Sequence, residues 1–177
     1  APSELSDNKV YSILVDSSGT VWVASLNNLY RFNKENESFY LVDGIRSVKC
    51  FAQRKDEEIW MGTRFDGLAC ITDDKITYYN TEKKTGAISS NQITSLRFAN
   101  DSLLWIGTID GLNLLNLQDS SFRSWNENSG LPGSRISAVE IDNQGNVWAS
   151  TSNGLSRFYP ETGQFKNYFS SDGLQGN

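Results

Sequence analysis

Histidine is missing altogether from the 177 residues. It is the side chain that titrates nearest neutral pH, and it is also the commonest metal ligand. Its absence removes the usual general base and the usual zinc or copper site together. Cysteine is nearly as scarce: Cys50 and Cys70 are the only two, too few for a disulfide scaffold. Positive charge is in deficit, with 16 Lys and Arg against 21 Asp and Glu, a net charge of −5. No cluster of Lys or Arg stands out, so a nucleic-acid or anionic-membrane surface is not expected. Apolar runs stop at about five residues, far short of the ~20 that a membrane-spanning helix needs. The opening APSELSDNKV has neither a basic start nor an apolar core, so no secretory leader is expected within it.

What is present is one phrase written four times: GTVWVASLNNLYRF (19–32), EEIWMGTRFDGLACI (57–71), SLLWIGTIDGLNLLNL (102–117) and GNVWASTSNGLSRF (145–158). Its tryptophans, Trp22, Trp60, Trp105 and Trp148, are spaced by 38, 45 and 43 residues. Such periods suit propeller blades or paired-helix repeats. The period inside the repeat decides between them. VYSILVD (10–16), ITSLRFA (93–99) and ISAVEID (136–142) alternate apolar and polar residues, and no stretch sustains a helical pattern. Apolar content of 38% with 12% aromatics is enough for a packed core rather than a disordered chain.

Each repeat divides into four short strands. The first (VYSILV, VKCFAQ, ITSLRF, ISAVEI) runs into a turn such as DSSG (16–19), NDS (100–102) or DNQG (142–145), composed of hairpin-forming residues. The second carries the Trp. The third is LYRF, LACI, LNLL or LSRF, and the fourth SFYLV, KITYYN, SFRSWN or QFKNYF. Four antiparallel strands per repeat is a β-propeller blade. The expected fold is therefore all-β: one partial β-propeller domain over 1–177, with four blades at about 8–42, 45–80, 91–126 and 134–169.

Two details give the repeat physical content. Two residues after each Trp stands a small one: Ala24, Gly62, Gly107 or Ser150. Positions i and i+2 share a strand face, so each indole sits beside a gap that a neighbouring blade can fill, and all four Trp are expected between blades. The turn before the third strand ends in Gly67, Gly111 or Gly154, with Asn28 in the first repeat. Because Asn tolerates positive φ best after Gly, all four are expected to be left-handed.

The consensus hxSIxxDxxGxhWhGTxxGLxxF resembles the two-component regulator propeller repeat over about residues 5–174, including the GL openers SGLPGSRI (129–136) and DGL (172–174). The fourth repeat fits best, and the second departs most, with QRKDEEIW in place of a glycine-containing turn. The resemblance implies a fragment of a larger, seven-bladed propeller from the extracytoplasmic, periplasmic sensor region of a hybrid histidine kinase–response regulator. It also implies a carbohydrate ligand.

Other motifs have plainer readings. DSSGTVW (16–22) is similar to the Asp-box of sialidases, but it is one residue too long and lacks the leading Ser or Thr. Asp142, Asn143 and Asn146 do not make a calcium loop, since the sixth and twelfth positions are Val147 and Asn153 rather than Gly and Glu. A hairpin turn with Asx caps accounts for them. Cys50 and Cys70 lie on the first and third strands of one blade, about 9–10 Å apart at the usual strand spacing, beyond disulfide reach. They are expected to be free, buried thiols. No metal and no cofactor are expected.

A binding surface remains. The turns between second and third strands and the inter-blade segments share one propeller face. There Arg64, Phe65 and Asp66 combine a planar cation, an apolar ring and an acceptor suited to a sugar acid. Asp110 and Asn153 occupy matching turns, and Trp125 and Arg135 flank an inter-blade segment. Phe65 and Trp125 suit packing between blades equally well. Asp66 and Asp110 also leave open a polysaccharide-degrading enzyme, though the chain offers no nucleophile–base set. Three functions follow: a non-catalytic oligosaccharide sensor signalling to a membrane kinase, an interaction scaffold, or that enzyme. Partners expected are the ligand, the remaining blades of a parent protein, and a second copy. Four blades are too few to close a ring, and GLQGN (173–177) is in phase to lie beside LSDN (5–8), which points to a homodimer. No nucleic acid and no direct membrane contact are expected.

Overall fold

The alternating segments each become a strand, in a computed structural model that describes residues 5, 9–54, 58–82 and 87–174. The first sheet holds β1 (Val10–Val15), β2 (Val21–Ser25), β3 (Leu29–Asn33) and β4 (Ser38–Leu41). The second holds β5 (Val48–Arg54), β6 (Glu58–Thr63), β7 (Leu68–Thr72) and β8 (Lys75–Tyr79). The third holds β9 (Ile93–Asn100), β10 (Leu103–Thr108), β11 (Gly111–Asn116) and β12 (Ser121–Trp125). The fourth holds β13 (Ile136–Ile141), β14 (Val147–Thr151), β15 (Gly154–Tyr159) and β16 (Gln164–Tyr168). Each sheet is an antiparallel meander in chain order. The first strands β1, β5, β9 and β13 lie next to one another in succession and form the inner edge of the array.

Sheets join face to face. Trp22, Ala24 and Leu29 of the first blade pack against Val48, Ile59, Met61 and Ala69 of the second. Trp60 and Leu68 meet Ile93, Leu104 and Ile106, and Trp105 and Leu112 meet Ile136, Val147 and Phe158. The expected gap is filled: a Cβ at Gly62 would strike Ile93, and one at Gly107 would come within 2.7 Å of Ile136 Cγ2. Three tryptophans are buried in these joints. Trp148 departs from the expectation, because among the described residues no sheet follows the fourth. It is half-buried on the outer face, stacked on Tyr168 at 5.6 Å with the Arg157 guanidinium 5.1 Å from its ring.

The turn after each second strand closes by one device. Ser25, Thr63, Thr108 and Thr151 donate their hydroxyls to the carbonyls of Asn28, Gly67, Gly111 and Gly154 at 2.8–3.1 Å. Positive φ is found at Gly67 (86°), Gly111 (122°) and Gly154 (107°) but not at Asn28, which corrects the sequence reading. The hydroxyl grip on the carbonyl works without left-handed backbone. Glycine is needed where the fourth strand crowds the turn, since a Cβ would strike the carbonyl oxygens of Tyr79, Trp125 and Tyr168.

A carboxylate at the opposite end anchors the indole. Trp22 Nε1 donates to Asp16 Oδ2 at 2.8 Å, and Trp148 Nε1 to Asp142 Oδ2 at 2.9 Å. In the divergent second repeat Glu58, clasped by Arg54 at 2.8 Å, accepts from Trp60 Nε1 at 3.3 Å. Partial burial raises the Asp142 pKa, but hydrogen bonds from Trp148 and Asn146 outweigh it and hold the carboxyl well below the usual carboxylate range. A depressed folded-state pKa stabilises the fold above the unfolded value of about 3.9 and loses that contribution as pH falls toward the folded value. Thermal melts should therefore drop more steeply below about pH 4 for the native chain than for Asp142→Asn. Parallel curves for the two would contradict the role given to this carboxylate.

Candidate ligand-binding site

The inner edge carries an irregularity that the repeat pattern does not reveal. In every first strand the register slips by one residue near its start, between Val10 and Ser12, Val48 and Cys50, Ile93 and Ser95, and Ile136 and Ala138. The extra residues are Tyr11, Lys49, Thr94 and Ser137. A β-bulge re-aims its side chain and is over-represented beside binding sites. Here it occurs at the same level in four successive blades.

Lys49 and Thr94 line an open cavity of about 410 Å³, together with Arg64, Gln92, Ile93, Ile109 and Arg135. Three successive blades thus contribute Lys49 and Arg64, then Gln92 and Thr94, then Arg135. Backbone bonds fix the turns that carry them. Arg64 N donates to Ser47 O at 3.0 Å, Ile109 N to Gln92 O at 3.2 Å, and Ser152 N to Arg135 O at 2.9 Å. The Lys49 ammonium lies 3.1 Å from the Tyr11 ring centroid. Burial raises the Tyr11 pKa, yet the positive charges of Lys49 and Lys9 outweigh it and hold the phenol below its ordinary value. Thr94 Oγ1 is buried in the wall with no hydrogen-bond partner among the described residues.

The residues singled out from the sequence separate into groups. Arg64 and Arg135 meet in this cavity. Phe65 stands beside it, 58% exposed, with the Arg64 guanidinium 5.2 Å from its ring, so it does not pack between blades. Asp66, Asp110 and Asn153 sit at matching turns, each backbone N–H bound to the hydroxyl of Thr63, Thr108 or Thr151 at 2.9–3.1 Å. Asn153 also donates through Nδ2 to Pro132 O at 3.0 Å, tying its turn to the inter-blade segment. Trp125 lies elsewhere, on β12, with its ring 5.4 Å from Trp105 and 4.8 Å from Phe158. It packs in the joint between the third and fourth blades. Lys49 and Thr94 escaped the sequence reading because only the bulge brings them to the cavity, whereas Gln92, the counterpart of Arg135 immediately before a first strand, was legible by position and was missed.

Two arginines and a lysine lining one open cavity give it a positive character suited to an anion, since Arg presents a planar fork that matches a carboxylate. Gln92 adds a donor and an acceptor for hydroxyl groups. Among the described residues no cluster of three His, Cys, Asp or Glu is placed to hold a metal ion. The cysteines are both free, Cys70 buried as expected but Cys50 only partly so, with its sulfur turned in against Gly62. Burial pushes the Cys50 thiol up to about 12 and the Cys70 thiol up to about 11. Neither should react appreciably with an alkylating or disulfide reagent at pH 8 in the folded chain, and both should react on unfolding. Rapid labelling of the folded chain would contradict the burial found here.

The two component regulator propeller model matches residues 4–27 and 130–153. Histidine kinase P4 of Formosa agariphila is 31% identical over 97 residues, which is 54% of this chain and 7% of that protein. The crystal structure of the extracellular domain of the putative hybrid two component system BT4673 from B. thetaiotaomicron superposes with a TM-score of 0.76 at 22% identity. It covers 94% of this chain and 22% of that one. The WD40 β-propeller domain of Doa1 superposes at 0.69 and 14% identity, covering 90% of this chain and 53% of that one. The chain thus spans a small part of the kinase and of the extracellular domain, while the structural likeness concerns the fold. Four sheets stacked as blades make the chain a β-propeller fold, and two of its stretches, residues 4–27 and 130–153, are similar to the two component regulator propeller family.

Proposed function

We propose that this segment is a non-catalytic, extracytoplasmic sensor module that binds an acidic oligosaccharide and passes the binding event to a membrane histidine kinase. The observation that carries the reading is the cavity on the inner edge, which Lys49 and Arg64 of the second blade and Arg135 at the start of the fourth all line, in a chain whose net charge is −5. A cationic concentration on an otherwise acidic surface draws anionic ligands and repels little of itself. The similarity to a histidine kinase and to an extracellular two-component domain supports the signalling half of the proposal.

In this reading the guanidinium groups of Arg64 and Arg135 hold the sugar carboxylate, Lys49 adds charge, and Gln92 and Thr94 meet hydroxyls. Phe65, exposed at the rim, offers an apolar surface to a pyranose ring. Nothing in the cavity pairs a nucleophile with a base, so the ligand leaves unchanged. Calorimetry with an oligogalacturonate and a neutral cello-oligosaccharide of equal length should show binding of the acidic glycan alone. Arg64→Ala and Arg135→Ala should each weaken it about tenfold, the loss of one charge-assisted hydrogen bond. Chromatography of the incubated glycan should show no shortened products. Equal binding of the neutral glycan, or affinity unchanged in both variants, would refute the assignment.

A further inference from the structure

The joint between the first and second blades matches the other two at its centre but not at the end that carries the first turns. In the second joint that end is filled by Phe98 and Leu117, and in the third by Ile141 and Pro160. Strand register puts Gln53 and Asp73 at these positions in the first joint. Gln53 pairs with Ile59 as Phe98 pairs with Leu104 and Ile141 with Val147. Asp73 stands two residues beyond Ile71, as Leu117 stands beyond Leu115 and Pro160 beyond Phe158. Gln53 is drawn off to the first turn, accepting from Ser17 N at 3.0 Å and donating to Ser17 Oγ at 2.7 Å. The turn from β7 to β8 is also short. Asp73 and Asp74 alone form it, where four residues join the third and fourth strands of each other blade. What remains is an open cavity of about 510 Å³, walled by Trp22, Ile59 and Ile71 and edged by Arg31, Asp73 and Asp74.

The charges around this cavity do not cancel. Asp16, also in its lining, is committed to Trp22 Nε1, Thr20 N and Ser18 Oγ at 2.6–2.8 Å. The Arg31 guanidinium lies 5.7 Å from the Trp22 ring, with Nη1 3.9 Å from Asp74 Oδ1. Lys34 lines the adjoining cavity instead, its ammonium over Gly19. Three carboxylates against one guanidinium leave an excess of two negative charges. The carboxylates ring the mouth rather than converge, since among the described residues no three His, Cys, Asp or Glu are placed to hold a metal ion. Asp73 and Asp74 also stand in left-handed backbone, at φ 49° and 59°. A two-residue hairpin turn with positive φ at both positions prefers Asn-Gly, so the aspartates occupy it against the turn's own preference. We propose that this cavity is a second binding site, for a small organic cation of about the size of a single ring. Its body rests on Trp22, Ile59 and Ile71, in the space that Phe98 and Leu117 fill one joint on, and its ammonium meets Asp73 and Asp74. The joint is internal to the chain. GLQGN (173–177) and LSDN (5–8), on which a homodimer was expected, lie outside the described residues apart from Leu5, Gly173 and Leu174, none of which lines the cavity.

D-Glucosamine and N-acetyl-D-glucosamine share one ring and differ in the charge of the amine. In mildly acidic buffer, where that amine is protonated, calorimetry should show binding of glucosamine alone, and the Trp22 Nε1–H resonance should shift as it is added. Asp73→Asn combined with Asp74→Gly gives the turn the residues it prefers and removes both charges. This double variant should melt at a higher temperature than the native chain and bind glucosamine at least about tenfold more weakly, the exchange of stability for function expected at a binding site. No binding of glucosamine, or equal binding of the acetylated sugar, would overturn the proposal. So would resonance shifts confined to the inner edge, or an affinity that the double variant leaves unchanged. A lower melting temperature for that variant would overturn it equally, since the two carboxylates would then serve the joint rather than a ligand.

Discussion

An antiparallel sheet has two faces and must cover at least one, and in this chain the covering depends on a single contact repeated between blades. A tryptophan stands on one strand face, a small residue stands two positions on, and an isoleucine or valine from the next blade enters the space between. Gly107 shows the tolerance of that contact, with room for Ile136 and none for a methyl group of its own. Burying one such aliphatic side chain stabilises by roughly 1.5–3 kcal/mol, and the indole beside it adds broad apolar area. The carboxylate clasps of Asp16, Glu58 and Asp142 hold the indoles from the far side.

The same contact positions the candidate site. Seating Ile93 and Ile136 in the preceding blade fixes the start of each first strand, and the bulge follows immediately. The bulged residue is then turned to the inner edge at a constant level, which brings Lys49 and Thr94 into line with the turn residue Arg64 and with Arg135. Packing and recognition are therefore coupled through one residue of spacing. A ligand that bridges Arg64 and Arg135 spans three blades, so its binding bears on the angle between them.

The fold was legible because its determinants are local. Period-two alternation, the Trp spacing and the small residue after each Trp all survive in the amino-acid order. The site was legible in part. Of the residues singled out, Arg64 and Arg135 line the candidate cavity, because turns and inter-blade segments can be read from Gly and Asn positions, while Phe65 stands beside it and Asp66 holds a turn. Lys49 and Thr94 were not singled out, since a bulge leaves no mark in composition and shifts side chains by a single register step. For Trp125 the structure takes one of the two readings the sequence left open, packing between blades. Its place in the chain flanks an inter-blade segment, but its strand direction turns the ring toward Trp105 and Phe158. Asn28 shows the limit of analogy between repeats, keeping the hydrogen bond of its glycine counterparts without their backbone conformation.

The contact between Gly107 and Ile136 is the most direct place to test this account. Denaturant unfolding of Gly107→Ala, Ile136→Ala and the double variant forms a thermodynamic cycle. Gly107→Ala should destabilise the native chain because its new methyl meets Ile136, and should cost much less once Ile136 is shortened. The expected coupling is about 1 kcal/mol or more, the size found for residues in contact. Strictly additive losses would contradict the claim that the seated isoleucine holds the blades together.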